Sequence, residues 1–256
     1  MGDLFPIYAK IIPIDGNARS ISAPLIQKLS QFTTQHYHIE NTSAFIENVL
    51  KPQQMGELII FSGEADELVG FTRIYQQQLE LKGIPIKIYS TNTYNNQTHN
   101  TSIAGARLGL TRTMKYKLSH PGEELVHFAS VSTASKYLFL TRLSNTIYPR
   151  PGSDVPKHIL RLAKILKESN NWPSSATHPM VIGGQLLKKQ QLPAETAIDD
   201  PLTNYYLSLN PDGAQGKALL VCIPLNIRNI GYGIRQLLTQ ASPDHLNHPA
   251  SAGVEG

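Results

Sequence analysis

The chain has 256 residues, with 23 Lys and Arg against 19 Asp and Glu for a formal charge of +4 and a pI near 9.0. Hydrophobic residues make up 41% and charged residues 16%, which excludes disorder driven by charge and supplies enough apolar side chain for a full core. The mild positive excess suits one polyanionic small ligand better than a long nucleic-acid groove, and the lone cysteine, Cys222, excludes an intramolecular disulfide framework and a cysteine-cluster metal site.

The N-terminus has no basic stretch followed by an apolar run, and no window approaches the roughly 20 apolar residues of a membrane span, so a cytoplasmic chain is expected. Ile7 to Ile14 reads as a first strand, ended by Asp15-Gly16. From Ala23 to Leu50 the apolar residues recur at helical spacing, which predicts one or two amphipathic helices broken near His38 to Thr42 and closed by Pro52. Glu57 to Ser62, Leu68 to Leu81 and Ile84 to Tyr94 read as three strands of an antiparallel meander, joined at Gly63-Glu64-Ala65-Asp66 and Lys82-Gly83.

A polar loop, Asn95 to Asn100, leads to a helix with Ile103, Ala106, Leu110, Met114 and Leu118 along one face, stopped by His120-Pro121-Gly122. Glu124 to Val131 is a fifth strand, expected beside the third member of the meander, and Thr133 to Leu143 a helix capped by Thr133 or Ser132. The C-terminal third reads as helix over Ile159 to Leu166, a Pro- and Ser-rich stretch to Pro179, helix over Leu202 to Leu209, strand over Ala218 to Leu225 and helix over Ile230 to Leu238. The expected organisation is one α/β domain over 1–240, with a core of about 5–152, an extension of about 153–240 and a flexible tail from 241.

The stretch Asn95-Asn-Gln-Thr-His-Asn-Thr-Ser-Ile-Ala-Gly-Ala-Arg carries the most chemistry. It follows a strand and opens a helix with the small residues Ala104, Gly105 and Ala106, so a phosphate can approach backbone N–H groups at the positive end of the helix dipole. The same residues also suit plain structure, with Ser102 as a cap and Gly105 allowing close packing on the sheet.

The strand, strand, strand, helix, strand, helix order with this helix start resembles the GNAT superfamily of N-acyltransferases. Val69-Gly70-Phe71, Tyr148-Pro-Arg-Pro-Gly152, Asp200-Pro201, Asn210-Pro211 and Leu220-Val221-Cys222 are similar to a bacterial GNAT-like branch, over about Tyr8 to Leu238. Against the family motif Q/R-x-x-G-x-G/A, with Gly105 as the first glycine, Ser102 stands for Gln or Arg and Arg107 for the final small residue. The resemblance implies a mixed sheet with an antiparallel meander flanked by helices. It implies an acyl-CoA co-substrate held by Asn92, Thr93, Tyr94, Asn100, Thr101, Ser102, Ala104, Gly105 and Ala106, with no metal. The implied reaction moves an acetyl or fatty acyl group from acyl-CoA or an acyl carrier protein to an amine, including a Lys or ornithine side chain of a peptide. The alternative is a catalytically silent module of the same fold that binds acyl-CoA or a partner.

Attack of an amine on a thioester needs a free amine, a polarised carbonyl and a proton for the thiolate. By the same resemblance a backbone N–H near Asn92 to Tyr94 serves the carbonyl, and Tyr137 is the candidate acid. Tyr137 reads equally as a core aromatic, because Leu138, Phe139 and Leu140 flank it. His127, in mid-strand, is the candidate base and His99 a weaker one; a hydrogen-bonded structural histidine and a water-mediated deprotonation stay open. His36-Tyr37-His38 does not share a helix face and has no carboxylate at metal spacing. Cys222 reads as buried core, and Lys and Arg are too scattered for a nucleic-acid surface.

Overall fold

The computed structural model describes residues 8–17, 20–81, 83–96, 101–175, 178–184, 186–187, 189 and 200–240. The chain runs β1 (Tyr8–Ile14), α1 (Ala23–His36), α2 (Thr42–Phe45, continued as a π turn over Ile46–Leu50), β2 (Gly56–Ser62), β3 (Leu68–Leu81) and β4 (Ile84–Asn95). It continues with α3 (Ser102–Ser119), β5 (Glu124–Val131), α4 (Ala134–Arg142), α5 (Lys157–Ser169), β6 (Val181–Ile182), α6 (Pro201–Leu209), β7 (Ala218–Pro224) and α7 (Ile227–Gln240). Among the described residues these strands form one sheet in the order β1-β2-β3-β4-β5-β7-β6. Every neighbouring pair is antiparallel except β4 with β5, and the meander with its parallel neighbour gives the GNAT-like mixed sheet expected from the sequence.

Alternation along the strands sends successive side chains to opposite faces. One face carries Leu58, Ile60, Phe71 and Tyr94, which pack with Leu29 and Phe32 of α1 and Phe45 and Val49 of the following segment. Phe71 stacks on Tyr94, with ring centroids 4.9 Å apart, and meets Phe32 and Phe45 edge-on. On the other face Ile59 and Phe61 receive Ala104 and Leu108 of α3. The larger core joins β5 and β7 to Ile159, Leu162, Ala163 and Leu166 of α5.

Local chemistry sets the element ends. Asn41 starts α2 by accepting the Ala44 N–H at 2.9 Å, and Thr133 starts α4 by accepting the Lys136 N–H at 3.3 Å. The π turn ends in a left-handed Lys51 whose N–H donates to Ile46 O at 2.8 Å. Its carbonyls would be orphaned in the core without Arg73, a fully buried cation. The Arg73 guanidinium donates to Leu50 O at 2.8 Å, to Lys51 O and Glu57 O at 3.3 Å each, and to Gln54 O and Ile74 O. Tyr75 adds a 2.6 Å bond to Val49 O. Burial pulls Arg73 down to about 10, still protonated at neutral pH. Gly56 makes this approach sterically feasible, since a Cβ there would lie 2.0 Å from Ile74 O and 2.8 Å from Arg73 Nη1 at a φ of +144°.

Two features depart from the sequence reading. The short strand β6 was not expected; its pairing with β7 through Val181↔Leu219 and Ile182↔Ala218 is too brief to leave a periodic pattern. The expected apolar face of α3 is only half used, for Ile103 and Leu118 are 39% and 64% exposed.

Candidate active site

β4 and β5 pair from Ile86↔Glu124 to Thr91↔Ala129. Past that point β4 continues against β3 alone, through Asn92↔Arg73 to Asn95↔Gly70, and β5 against β7 alone, through Ser130↔Leu220 and Val131↔Leu219. The two strands therefore part at their C-terminal ends. A cavity of about 480 Å³ lies over this parting, floored by the sheet and walled by α3, α4 and α7.

The floor toward β3 and β4 is hydroxylated by Thr72, Thr91 and Thr93. Thr72 and Thr93 bond each other, Oγ1 to Oγ1, at 3.0 Å. The far wall is aliphatic and aromatic, built from Leu110, Phe139, Leu140, Leu143, Ile223 and Ile230. α3 presents Ser102, Gly105, Ala106 and Gly109 to the cavity, and none of its residues is fully buried. Small side chains on this face hold the roof open. A Cβ on Gly105 would meet Phe61 at 3.6 Å, an ordinary contact, so packing does not require glycine there.

At the N-terminal end of α3 the N-cap residue, Thr101, makes no side-chain cap bond. Thr101 lines the cavity, is wholly buried, and its Oγ1 finds no hydrogen-bond partner among the described residues. An unsatisfied buried hydroxyl costs about 1–3 kcal/mol, a deficit that a ligand group can remove.

His127 stands at the centre of the floor, its Nε2 2.8 Å from Thr91 Oγ1. Burial, and secondarily the Lys136 ammonium, hold the imidazole down to about 4, so it is neutral at physiological pH. Lys136 reaches the cavity from α4 and donates to Ser130 O at 2.9 Å. Among the residues lining the cavity, Arg112 is paired with Glu57.

Of the residues singled out in the sequence, Thr93, Thr101, Ser102, Gly105, Ala106 and His127 lie around this one cavity. Asn92 and Tyr94 fall on the opposite face by strand alternation, Tyr94 within the α1 core. Ala104 packs on Ile59 and Phe61. Asn100 and His99 lie outside the described residues.

Tyr137 does not line the cavity. It is fully buried on the other side of α4, where its hydroxyl donates to Pro149 O at 3.0 Å and its ring lies 5.8 Å from that of Tyr206. Burial pushes its phenol up to about 12. Cys222 is fully buried as well, its thiol pushed up by desolvation.

No protein-family model matches the chain, and no curated protein matches it. Among the described residues no three His, Cys, Asp or Glu side chains are grouped to hold a metal ion, and no helix is long and apolar enough to cross a membrane.

The sequence reading missed Thr91, Lys136 and the contribution of β7 and α7. Strand alternation puts Thr91 and Thr93 on one face, a signal legible in Ser90-Thr91-Asn92-Thr93. Lys136 carried no such signal, because its neighbour His127 is nine positions away in sequence on a different element.

Proposed function

We propose that the protein transfers an acyl group from a thioester, of coenzyme A or an acyl carrier protein, to an amine. The observation that carries this reading is the cavity at the parting of β4 and β5, which runs to the start of α3, where the buried Thr101 hydroxyl finds no partner among the described residues. The positive end of an 18-residue helix favours a phosphate. The hydroxylated floor suits the amide-rich arm that joins phosphate to sulfur, and the aliphatic wall suits the acyl chain. The extent of that wall favours a fatty acyl group over acetyl.

The chemistry then falls to groups on the cavity. His127 is neutral and accepts the proton that the attacking amine must lose. Once protonated it returns the proton to the departing thiolate. The hydroxyl of Tyr137, bonded to Pro149 O outside the cavity, is not needed for this cycle.

The test is incubation with acetyl-, octanoyl- and palmitoyl-CoA, reading thermal shift alone and thiol release with added amines. A donor at 100 times its Kd stabilises the fold by about 2.7 kcal/mol, and thiol release with an amine is expected for the longer chains. Binding with no turnover on any amine favours the silent-module reading. Absence of both binding and thiol release with every acyl-CoA and with acylated carrier protein rejects the proposal.

A further inference from the structure

Thr91 and His127 project from neighbouring parallel strands onto the same cavity floor, with hydroxyl and imidazole in hydrogen-bond contact at 2.8 Å. Thr91 pairs across the ladder with Ala129, whose methyl leaves the space beside the hydroxyl open, and the imidazole approaches on the diagonal. A hydroxyl held against an unprotonated imidazole is the arrangement that makes a weak nucleophile attack a carbonyl. Among the described residues, two further hydroxyls of the floor are engaged otherwise, for Thr72 and Thr93 bond each other at 3.0 Å. Cys222, the one thiol in the sequence, is sealed in the core and does not line the cavity.

We propose that Thr91 is itself acylated during the reaction, with His127 as its base, so that the acyl group rests on the protein as a threonine ester before the amine takes it. This rests on the thioester reading given above and adds a covalent stage to it.

In the first half, Thr91 Oγ1 attacks the thioester carbonyl carbon and its proton passes to His127 Nε2. The carbon–sulfur bond breaks, and the sulfur takes that proton to leave as free thiol. In the second half, an amine attacks the ester carbon and loses a proton to His127. The carbon–oxygen bond breaks, and Oγ1 recovers the proton. Thioester and amine become thiol and amide, with no oxidation or reduction. The 2.8 Å contact between Thr91 Oγ1 and His127 Nε2 gives the proton a direct path at the start of the first half. The apolar wall formed by Phe139, Leu140 and Leu143 lines the same cavity, and apolar side chains there shelter the ester from water.

The experiment incubates the full-length protein with octanoyl-CoA without an amine, quenches in acid, and reads intact mass and a peptide map. One octanoyl group on the peptide containing Thr91, removable by hydroxylamine, is expected. Thr91→Val keeps the shape and removes the nucleophile; it should lose the adduct and slow amide formation by about 10²-fold or more, while Thr91→Ser retains the adduct. The wild-type adduct decides the matter even if the valine variant misfolds. Thiol release and amide formation at the wild-type rate in folded Thr91→Val, with no wild-type adduct, overturn the covalent stage and leave direct transfer standing. If no thioester reacts, the donor reading fails, and p-nitrophenyl octanoate decides the nucleophile. A burst of p-nitrophenolate with ester on Thr91 supports the proposal, and no burst overturns it.

Discussion

A tyrosine or histidine is given its chemical role by what its polar atom touches. Tyr137 sits one position from Lys136 on α4, yet the two side chains leave the helix in different directions, Lys136 to the cavity and Tyr137 to the core with Tyr205 and Tyr206. Tyr137→Phe is therefore expected to lower stability by about 1 kcal/mol, through the lost bond to Pro149 O, with turnover near wild type. Denaturant midpoints and kcat measured together check this, and a hundredfold loss of kcat in a folded variant would return the hydroxyl to the mechanism. His127 is the opposite case. Its folded value of about 4 lies below the ordinary 6.5, so between these pH values the unfolded chain binds a proton that the folded one does not. Stability is thus whole above pH 6.5 and falls as pH drops toward 4, by up to about 3 kcal/mol, with no further loss from this group below that. Unfolding midpoints from pH 7 to 4, taken as the difference between wild type and His127→Gln, isolate the effect. A difference that stays flat across that range would show that the imidazole titrates normally.

At the scale of elements, α3 decides what the cavity is. Apolar spacing predicted a single inward stripe, but the helix lies with small residues over the cavity, Ala104 and Leu108 on Ile59 and Phe61, and Leu110 and Met114 on the main core. Its tie to α7 is close: a Cβ on Gly233 would come within 2.7 Å of Leu143 O and 2.9 Å of Leu110 Cδ1. These contacts hold α3 on both sides of the small residues that line the cavity. Gly105→Glu tests the phosphate end of this arrangement. The Cβ has room and glutamate raises helix propensity over glycine, so folding is expected to be unimpaired. The new carboxylate would face donor phosphates in the cavity, and like charges at about 4 Å repel by about 1–4 kcal/mol, which predicts a roughly tenfold or greater loss of acyl-CoA affinity. Calorimetric titration that gives the wild-type Kd for the folded variant would remove the phosphate from this end of α3.

Across the whole molecule, the kinds of the longer elements were legible in the sequence, while the bounds of α5 and α7 extend two or three residues beyond the expected ones at each end. β3 and β5 begin and end where alternation and turn residues put them, and α1 ends at His36 and α2 starts at Thr42, around the break expected near His38 to Thr42. The sequence also determined the meander, because β2, β3 and β4 are joined by short turns that leave antiparallel pairing as the local solution. The burial of Cys222 was legible in its unbroken apolar strand. The tertiary structure alone decided that β7, from the far end of the chain, pairs between β5 and β6, that β4 and β5 separate after Thr91 and Ala129, and that α7 closes one wall of the cavity. Local periodicity reports which face of an element is buried and is silent on what buries it. Thr91 and His127 lie 36 positions apart, and no helical or strand period spans that distance. Their contact follows from the register of two parallel strands, which is set by the packing of both sheet faces at once.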